Sequence, residues 1–408
     1  MKVLHIVSGN LEEGAARGAL NLHLALMQNG IKSALLIDGI IGDKHLDFQK
    51  NQSRPRYIRA QLTRRINHLP TLFYRARQKQ KFTNVIVGKK LSKDRRIGKY
   101  DVLHFHWVDS AAFDFKDLEE ISQPIVWTLR DMWPFTGGCH YTYQCKGYLD
   151  NCGSCPQLSS NKALDLSLSN IKTKILVKKS IKYVAVSNWL KQRALESSVM
   201  KLQNIDVIYN GVDTEVFYPE EEKSIRERFQ IQENKLIVLV GAIDLIDKYK
   251  GLEILIKALS MIEMDFVVLS FGKTPIESKL GGHIKVYDLG YLRDPHDLAK
   301  VYNTADLFVS ASISEAFGKT VAESLACGTP VVCFSDTGSA EIVIDGKTGA
   351  IARNGDVKNL AECIASQLKS GKIQEKSQDC RSSILQKFDS ADVANKYLEI
   401  YRDLTSQG

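Results

Sequence analysis

The 408-residue chain, with 44% hydrophobic and 25% charged residues, has ordinary globular composition and room for two or three domains of about 150 residues. Its 27 glycines and 9 prolines exclude collagen-like and low-complexity architectures, and eight cysteines are too few for a disulfide scaffold. The formal net charge of +8 is local in origin: residues 51–100 carry fifteen Lys and Arg against one acid, Asp94, leaving 40 basic and 46 acidic residues elsewhere. Such a stretch suits a phosphate-rich partner, either an anionic membrane or a nucleic acid.

The opening MKVLHIVSGN is too short in its apolar run for a signal-peptide core and reads as a first strand, so the chain is expected to stay in the cytoplasm. Further strands are predicted at 33–37, 102–106, 124–129 and 183–186, with a helix from about Ala15 to Gly30. A second series follows at 235–240, 266–270, 284–288, 307–310 and 331–334, with helices near 251–262, 295–302, 319–326 and 357–368. Short apolar runs alternating with longer amphipathic stretches are the signature of βα units around a parallel sheet. The pattern occurs twice, so the expected fold class is α/β, with two doubly wound Rossmann-like domains facing across a cleft. Asn210-Gly211 supplies a turn between the series and Pro219 interrupts pairing, which sets expected domains at 1–210 and 211–385. Residues 386–408 carry a helical stripe of Val393, Tyr397, Leu398 and Tyr401, expected to pack back toward the first domain. Ligands of doubly wound sheets bind at the carboxyl ends of the strands, so functional residues are sought on the loops that follow them.

The most informative such loop is SASISEAFGKTVAESLACGTPVV. Glu315 lies after a strand, Phe317, Gly318, Lys319 and Thr320 open a helix, and Glu323 follows on that helix. Backbone N–H groups at a helix start suit a phosphate or a sugar hydroxyl, and Glu323 suits a diol. The competing reading is structural, because the macrodipole already favours an acid before a helix. In the first half, Gly14 with small neighbours permits close backbone approach by a ligand, although a plain tight turn explains it equally well. His104 and His106 share one side of their strand; His106, at the strand end beside Trp107, is expected to be the accessible one. Cys139, Cys145, Cys152 and Cys155 fall within seventeen residues, a set chemically suited to a structural zinc, with reduced thiols or a redox disulfide as the alternatives. LPTLFY at 69–74 places apolar and aromatic residues amid arginines, a mixture suited to an anionic membrane surface, with a solvated basic helix as the competing reading.

The Glu315-x7-Glu323 pair, the ACGTPVV run and TGSAEIVIDGKTG resemble the donor-binding half of GT-B-fold retaining glycosyltransferases of family 4. The resemblance continues through GAARGALNLHLAL, DVLHFHW, VWTLRDMWPFTGGCHY, VSNWL, YNGVDTEVFYP and KGLEILIKAL, and the TGGCHY element is most similar to the colanic-acid and exopolysaccharide subgroup. It implies a retaining, metal-independent hexosyl transfer from a nucleotide diphosphate sugar to a lipid-linked or polysaccharide acceptor, with no cofactor for catalysis. A cytoplasmic enzyme peripheral on the membrane is expected, without a nucleic-acid partner. By the same resemblance Glu323 holds the ribose hydroxyls, Glu315 contacts the donor sugar, Lys250 neutralises the diphosphate, and Gly14 lies near donor and acceptor. Two departures stand out: Gly241-Ala242 replaces a glycine followed by arginine, and Arg130 replaces a histidine close to the transferred sugar. Arginine stays protonated and cannot be a general base, which leaves Asp131 as the candidate proton acceptor. The alternatives are a GT-B-fold epimerase or phosphorylase-like enzyme, and a non-catalytic nucleotide-sugar-binding scaffold.

Overall fold

Strands buried on both faces read as continuous apolar runs, and β1 (Lys2–Val7) is of this kind, with every residue after Lys2 buried. The computed structural model describes residues 1–9, 11, 14–43, 54–78, 80–108, 112–276, 280, 284–369 and 373–406. It divides into two compact units, Met1–Tyr209 with Val393–Gly408, and Asn210–Asp392.

In the first unit β1 is followed by α1 (Gly14–Gln28), β2 (Lys32–Ile37), β3 (Ile40–Gly42), α2 (Pro55–His68), β4 (Val102–Phe105), β5 (Ile125–Leu129), α3 (Leu166–Ile175), β6 (Lys182–Ala185), α4 (Asn188–Glu196) and β7 (Ile205–Val207). The sheet order is β3-β2-β1-β4-β5-β6-β7, parallel except for the β2–β3 hairpin. Helix α1 forms because Ala16, Ala19, Leu22, Ala25 and Leu26 recur at helical spacing and bury one face.

The second unit contains α5 (Ser224–Phe229), β8 (Leu236–Gly241), α6 (Leu252–Ser260), β9 (Phe266–Phe271), β10 (Lys285–Asp288), α7 (Pro295–Thr304), β11 (Leu307–Ser310), α8 (Lys319–Ala326), β12 (Val331–Phe334), β13 (Gly349–Ala352), α9 (Val357–Lys369) and α10 (Ile373–Lys387). Its strands run β10-β9-β8-β11-β12-β13, all parallel. In both sheets the order reverses beside the first strand, between β1 and β4 and between β8 and β11, where ligand crevices of such sheets open.

Helix α11 (Ser390–Ser406) starts in the second unit and continues into the first, where Val393, Ala394, Tyr397, Leu398 and Tyr401 pack with Val3, Val102, Val126 and Val184 of the sheet and Leu22 and Leu26 of α1. The expected boundary at 386 therefore moves: α10 and the start of α11 belong with the second unit, and the first unit reclaims the chain at Val393. Among the described residues no helix is long and apolar enough to cross a membrane.

Candidate functional site

In the second unit the loop after β11 and the turn after β8 are laced together. Gly251 has φ +66°, and a Cβ there would come within 2.0 Å of the Ala311 carbonyl oxygen; the Ile313 N–H donates to the Tyr249 carbonyl at 2.8 Å. This lacing brings Lys250 Nζ to 2.7 Å from Glu315 Oε2, with both side chains less than a fifth exposed (18% and 16%). Lys248, two residues before it in the same turn, is exposed.

Gly318 precedes α8 with φ +95°, and a Cβ would stand 2.2 Å from Ser339 Oγ, so conformation and space both demand glycine. Gly338 donates its N–H to the Glu315 carbonyl at 2.7 Å, fastening the two loops backbone to backbone. The start of α8 carries no side-chain cap, and Ser339 Oγ beside Gly318 is buried without a hydrogen-bond partner among the described residues. Phe317 is buried with its ring 5.9 Å from that of Phe388, while Lys319 and Thr320 are half-buried. Glu323, one turn into α8, is buried; it accepts from Tyr302 Oη at 3.2 Å and pairs with Lys319 Nζ at 3.4 Å. Tyr302 gives no sequence signal of this role beyond its place in a helical stripe. Where an arginine was missing, Ala242 is buried, and the Phe271 ring occupies the space beside Gly241.

In the first unit β1 and β4 align His5 with His104, and His106 follows on the same side. Arg130 only donates, and its Nε and Nη2 lie 3.3 and 3.1 Å from His106 Nδ1. His106 therefore carries its proton on Nε2 and donates to His5 Nδ1 at 2.7 Å, which leaves the His5 proton on Nε2, buried without a partner among the described residues. His104 bonds Tyr401 Oη at 2.6 Å and Thr128 Oγ1 at 2.7 Å. Burial holds all three imidazoles well below 6.5, and it lowers Arg130 to about 10, still protonated at neutral pH. The expectation of an accessible His106 is thus corrected: it is 1% exposed, because the chain of ring bonds draws it inward. The three ring nitrogens lie within 4.8 Å of one another, a metal-like spacing. A divalent ion there would sit beside the Arg130 guanidinium, so the hydrogen-bond chain is the reading the neighbours support.

Asp131 does not rely on Arg130. Its carboxylate accepts from Trp107 Nε1 at 2.6 Å, the Trp133 N–H at 2.9 Å and His140 Nδ1 at 2.6 Å. Burial works to raise its pKa, but the His140, Trp133 and Trp107 donors outweigh that and hold it below the ordinary carboxylate range. Burial keeps His140 neutral, so with Nδ1 donating to Asp131 its Nε2 accepts from Thr83 Oγ1 at 2.9 Å. His140 stands in the quoted TGGCHY element, yet only the fold reveals its partner nine residues upstream. Gly14 opens α1, exposed, and a Cβ there would meet nothing within 4 Å, so the protein's own packing does not require glycine.

All four clustered cysteines are free thiols. Burial raises Cys139 and Cys155 and pushes Cys152 up to about 12, which favours protonated sulfur. Among the described residues the group with ligand atoms within 4.8 Å of one another is the histidine triplet, and no three of these sulfurs form such a group. As placed, the thiols do not fit a tetrahedral zinc.

Two doubly wound sheets in one chain, each in its own compact unit, give a two-domain α/β protein of the GT-B type. Residues 13–216 match the Glycosyltransferase Family 4 profile and residues 221–384 the profile of Glycosyl transferases group 1. The first match spans half of the chain, and the chain belongs to Glycosyltransferase Family 4. It is 25% identical to a D-inositol 3-phosphate glycosyltransferase of Mycolicibacterium smegmatis over 284 residues, 66% of this chain and 60% of that protein. It is also 25% identical to an N-acetyl-alpha-D-glucosaminyl L-malate synthase of Bacillus anthracis over 248 residues, 59% of this chain and 64% of that protein. The chain thus spans less than two thirds of the length of these curated relatives. In fold it is similar to a sucrose-phosphate synthase of Thermosynechococcus elongatus (TM-score 0.70, 18% identity, all of both chains). It is likewise similar to an Anabaena protein, HepE, in complex with UDP and glucose (TM-score 0.67, 17% identity, 99% of this chain and all of that one).

Proposed function

We propose that the chain transfers a sugar from a nucleoside diphosphate sugar to an acceptor hydroxyl, with retention of configuration and without a metal. The observation that carries the reading is the Lys250–Glu315 pair beside the glycine-led start of α8, which has no side-chain cap, with the Ser339 hydroxyl, unpartnered among the described residues, at its edge. Lys250 exchanges Glu315 for the donor diphosphate, the N–H groups of Phe317, Gly318, Lys319 and Thr320 orient the sugar, and the released Glu315 carboxylate contacts it near the anomeric carbon. Glu323 takes the ribose diol. The acceptor oxygen bonds to the anomeric carbon as the bond to the diphosphate breaks, and the acceptor proton passes to the departing phosphate on the same face. Asp131, fully engaged by three donors, is assigned the positioning of Trp107 and His140 rather than proton abstraction. Arg130, steadied by His106, stabilises negative charge on the phosphate or on an anionic acceptor.

Both curated relatives quoted above are named for acceptors that carry an anion, which supports an anionic group near Arg130. The finer reading is a lipid-linked or polysaccharide acceptor in bacterial surface polysaccharide assembly, met by a cytoplasmic enzyme at an anionic membrane. It is supported by the TGGCHY element and the basic stretch. Incubation with a panel of UDP-, GDP- and ADP-sugars tests transfer. Nucleotide release that depends on acceptor and yields a product with the donor's anomeric configuration is expected. A sugar inverted at a ring carbon without acceptor would make the protein an epimerase; tight binding without turnover would make it a scaffold.

A further inference from the structure

An amphipathic helix at the surface of a globular domain turns its apolar stripe inward, and α2 does the reverse. Its buried residues are Ala60 and Asn67, which share one side of the helix. At about 100° per residue, Ile58, Leu62 and Ile66 form a stripe roughly 80° wide on the other side, each about half exposed (50%, 50% and 48%). Arg59 borders one edge of this stripe and Arg65 the other, both exposed, and Arg54, the extended residue before the helix, is exposed as well. The turn Leu69–Phe73 prolongs it with Leu69, Leu72 and Phe73, the last 88% exposed.

A second segment is clamped alongside. Asn67 Oδ1 accepts from the N–H groups of Ile86 and Val87, both at 3.0 Å, and Asn67 Nδ2 donates to the Val87 carbonyl at 2.8 Å. A buried side chain thus satisfies the backbone of this segment, while the Ile86 and Val87 side chains stay exposed. Residues 51–93 contain no acid, and Asp94 is held by Lys89 at 2.9 Å and Arg96 at 2.6 Å.

We propose that this surface docks on an anionic lipid bilayer, with Ile58, Leu62, Ile66, Leu69, Leu72 and Phe73 entering the acyl boundary and Arg54, Arg59 and Arg65 meeting the headgroups. An outward aliphatic stripe flanked by arginines matches a surface that is apolar below and anionic above. A polynucleotide would engage the arginines and leave the aliphatic side chains without a partner. The proposal rests on the transferase reading in one respect, that a lipid-linked acceptor would be met there; lipid binding itself is independent of it.

The test is sedimentation of the full-length protein with phosphatidylcholine vesicles, with and without phosphatidylglycerol, at low and high salt. Binding is expected to the anionic vesicles, weakening with salt. Arg59→Gln with Arg65→Gln should lower the partition coefficient about 25-fold. Leu62→Ser, Ile66→Ser and Phe73→Ser together should lower it at least about tenfold and abolish the binding that survives high salt. Thermal unfolding should stay unchanged in the arginine variant, whose side chains are exposed, and fall only slightly in the serine variant, because Leu62 and Ile66 are half exposed. Equal binding to neutral vesicles, undiminished binding by either variant, displacement from vesicles by RNA, or self-association that the triple serine variant removes would each overturn the proposal. A protein that binds vesicles but transfers no sugar would instead remove the transferase reading and leave this surface standing.

Discussion

The two sheets share a strand order but equip their strand ends in different ways. At the carboxyl ends of β1, β4 and β5 the first unit gathers buried neutral imidazoles, an arginine and a carboxylate engaged by three donors. At the ends of β8 and β11 the second unit sets a partly exposed lysine–glutamate pair beside a helix start that only glycine can lead. The first arrangement is interlocked, so each group fixes the tautomer or charge of the next. On the proposed reading the second is open to exchange, because Lys250 trades Glu315 for the donor diphosphate. Topology therefore decides where a site forms, and the residues at the strand ends decide whether it is rigid or exchangeable.

Acidification should break this comparison most visibly. An imidazole whose folded pKa is depressed contributes stability that is complete above the unfolded value near 6.5 and is lost as pH falls through it, because the unfolded chain binds the proton first. His5, His104 and His106 together predict that the first unit loses stability as pH falls below that point. All four tryptophans, Trp107, Trp127, Trp133 and Trp189, lie in the first unit, so as pH falls below the imidazole range tryptophan fluorescence should report unfolding while part of the far-UV dichroism persists. Coincident transitions would show that the units do not differ in this way.

Glu323→Ala should come next, with nucleotide affinity reduced roughly 5- to 150-fold, since a buried partner of Tyr302 is lost together with the diol acceptor. Calorimetric titration with UDP and GDP reads it directly, and unchanged affinity would detach Glu323 from the donor. Glu315→Gln should leave affinity nearly intact and lower turnover about tenfold or more, the pattern of a group that acts in the transition state. For Arg130, lysine should fail to restore activity lost in alanine, because the planar fork that reaches His106 is absent; full activity in Arg130→Ala would reduce the position to a structural one. The smallest effect is expected at the cysteines. Freshly purified protein should contain little zinc and titrate eight thiols when unfolded, and one tightly held zinc per chain would require the sulfurs to gather more closely than they do here.

Much of this organisation is legible in the chain. Both sheets follow from apolar runs, and the Glu315-to-Glu323 residues follow from a loop whose spacing is local. The imidazole chain had a signal as well: Val3-Leu4-His5 and Val102-Leu103-His104 are the same tripeptide in two predicted strands, and parallel register places them side by side. What stayed hidden depends on contacts remote in sequence. His104 meets Tyr401 across 297 positions, and no periodicity could name that partner. The three-residue strands β3 and β7 carry too little pattern to separate from loops. Helix α2 escaped because its apolar residues face outward, against the assumption that periodicity marks a buried side.

The passage of α11 from the second unit into the first carries a consequence for biosynthesis. A ribosome delivers the strands of the first sheet early, yet Tyr397 and Tyr401, which bond Thr128 and His104, emerge only after the whole second unit has been made. The second unit can therefore close as an uninterrupted segment, while the first waits with its sheet face and buried imidazoles uncovered. In the living cell the half that is translated first is the half that matures last, and it is during this interval that a chaperone would find its apolar target.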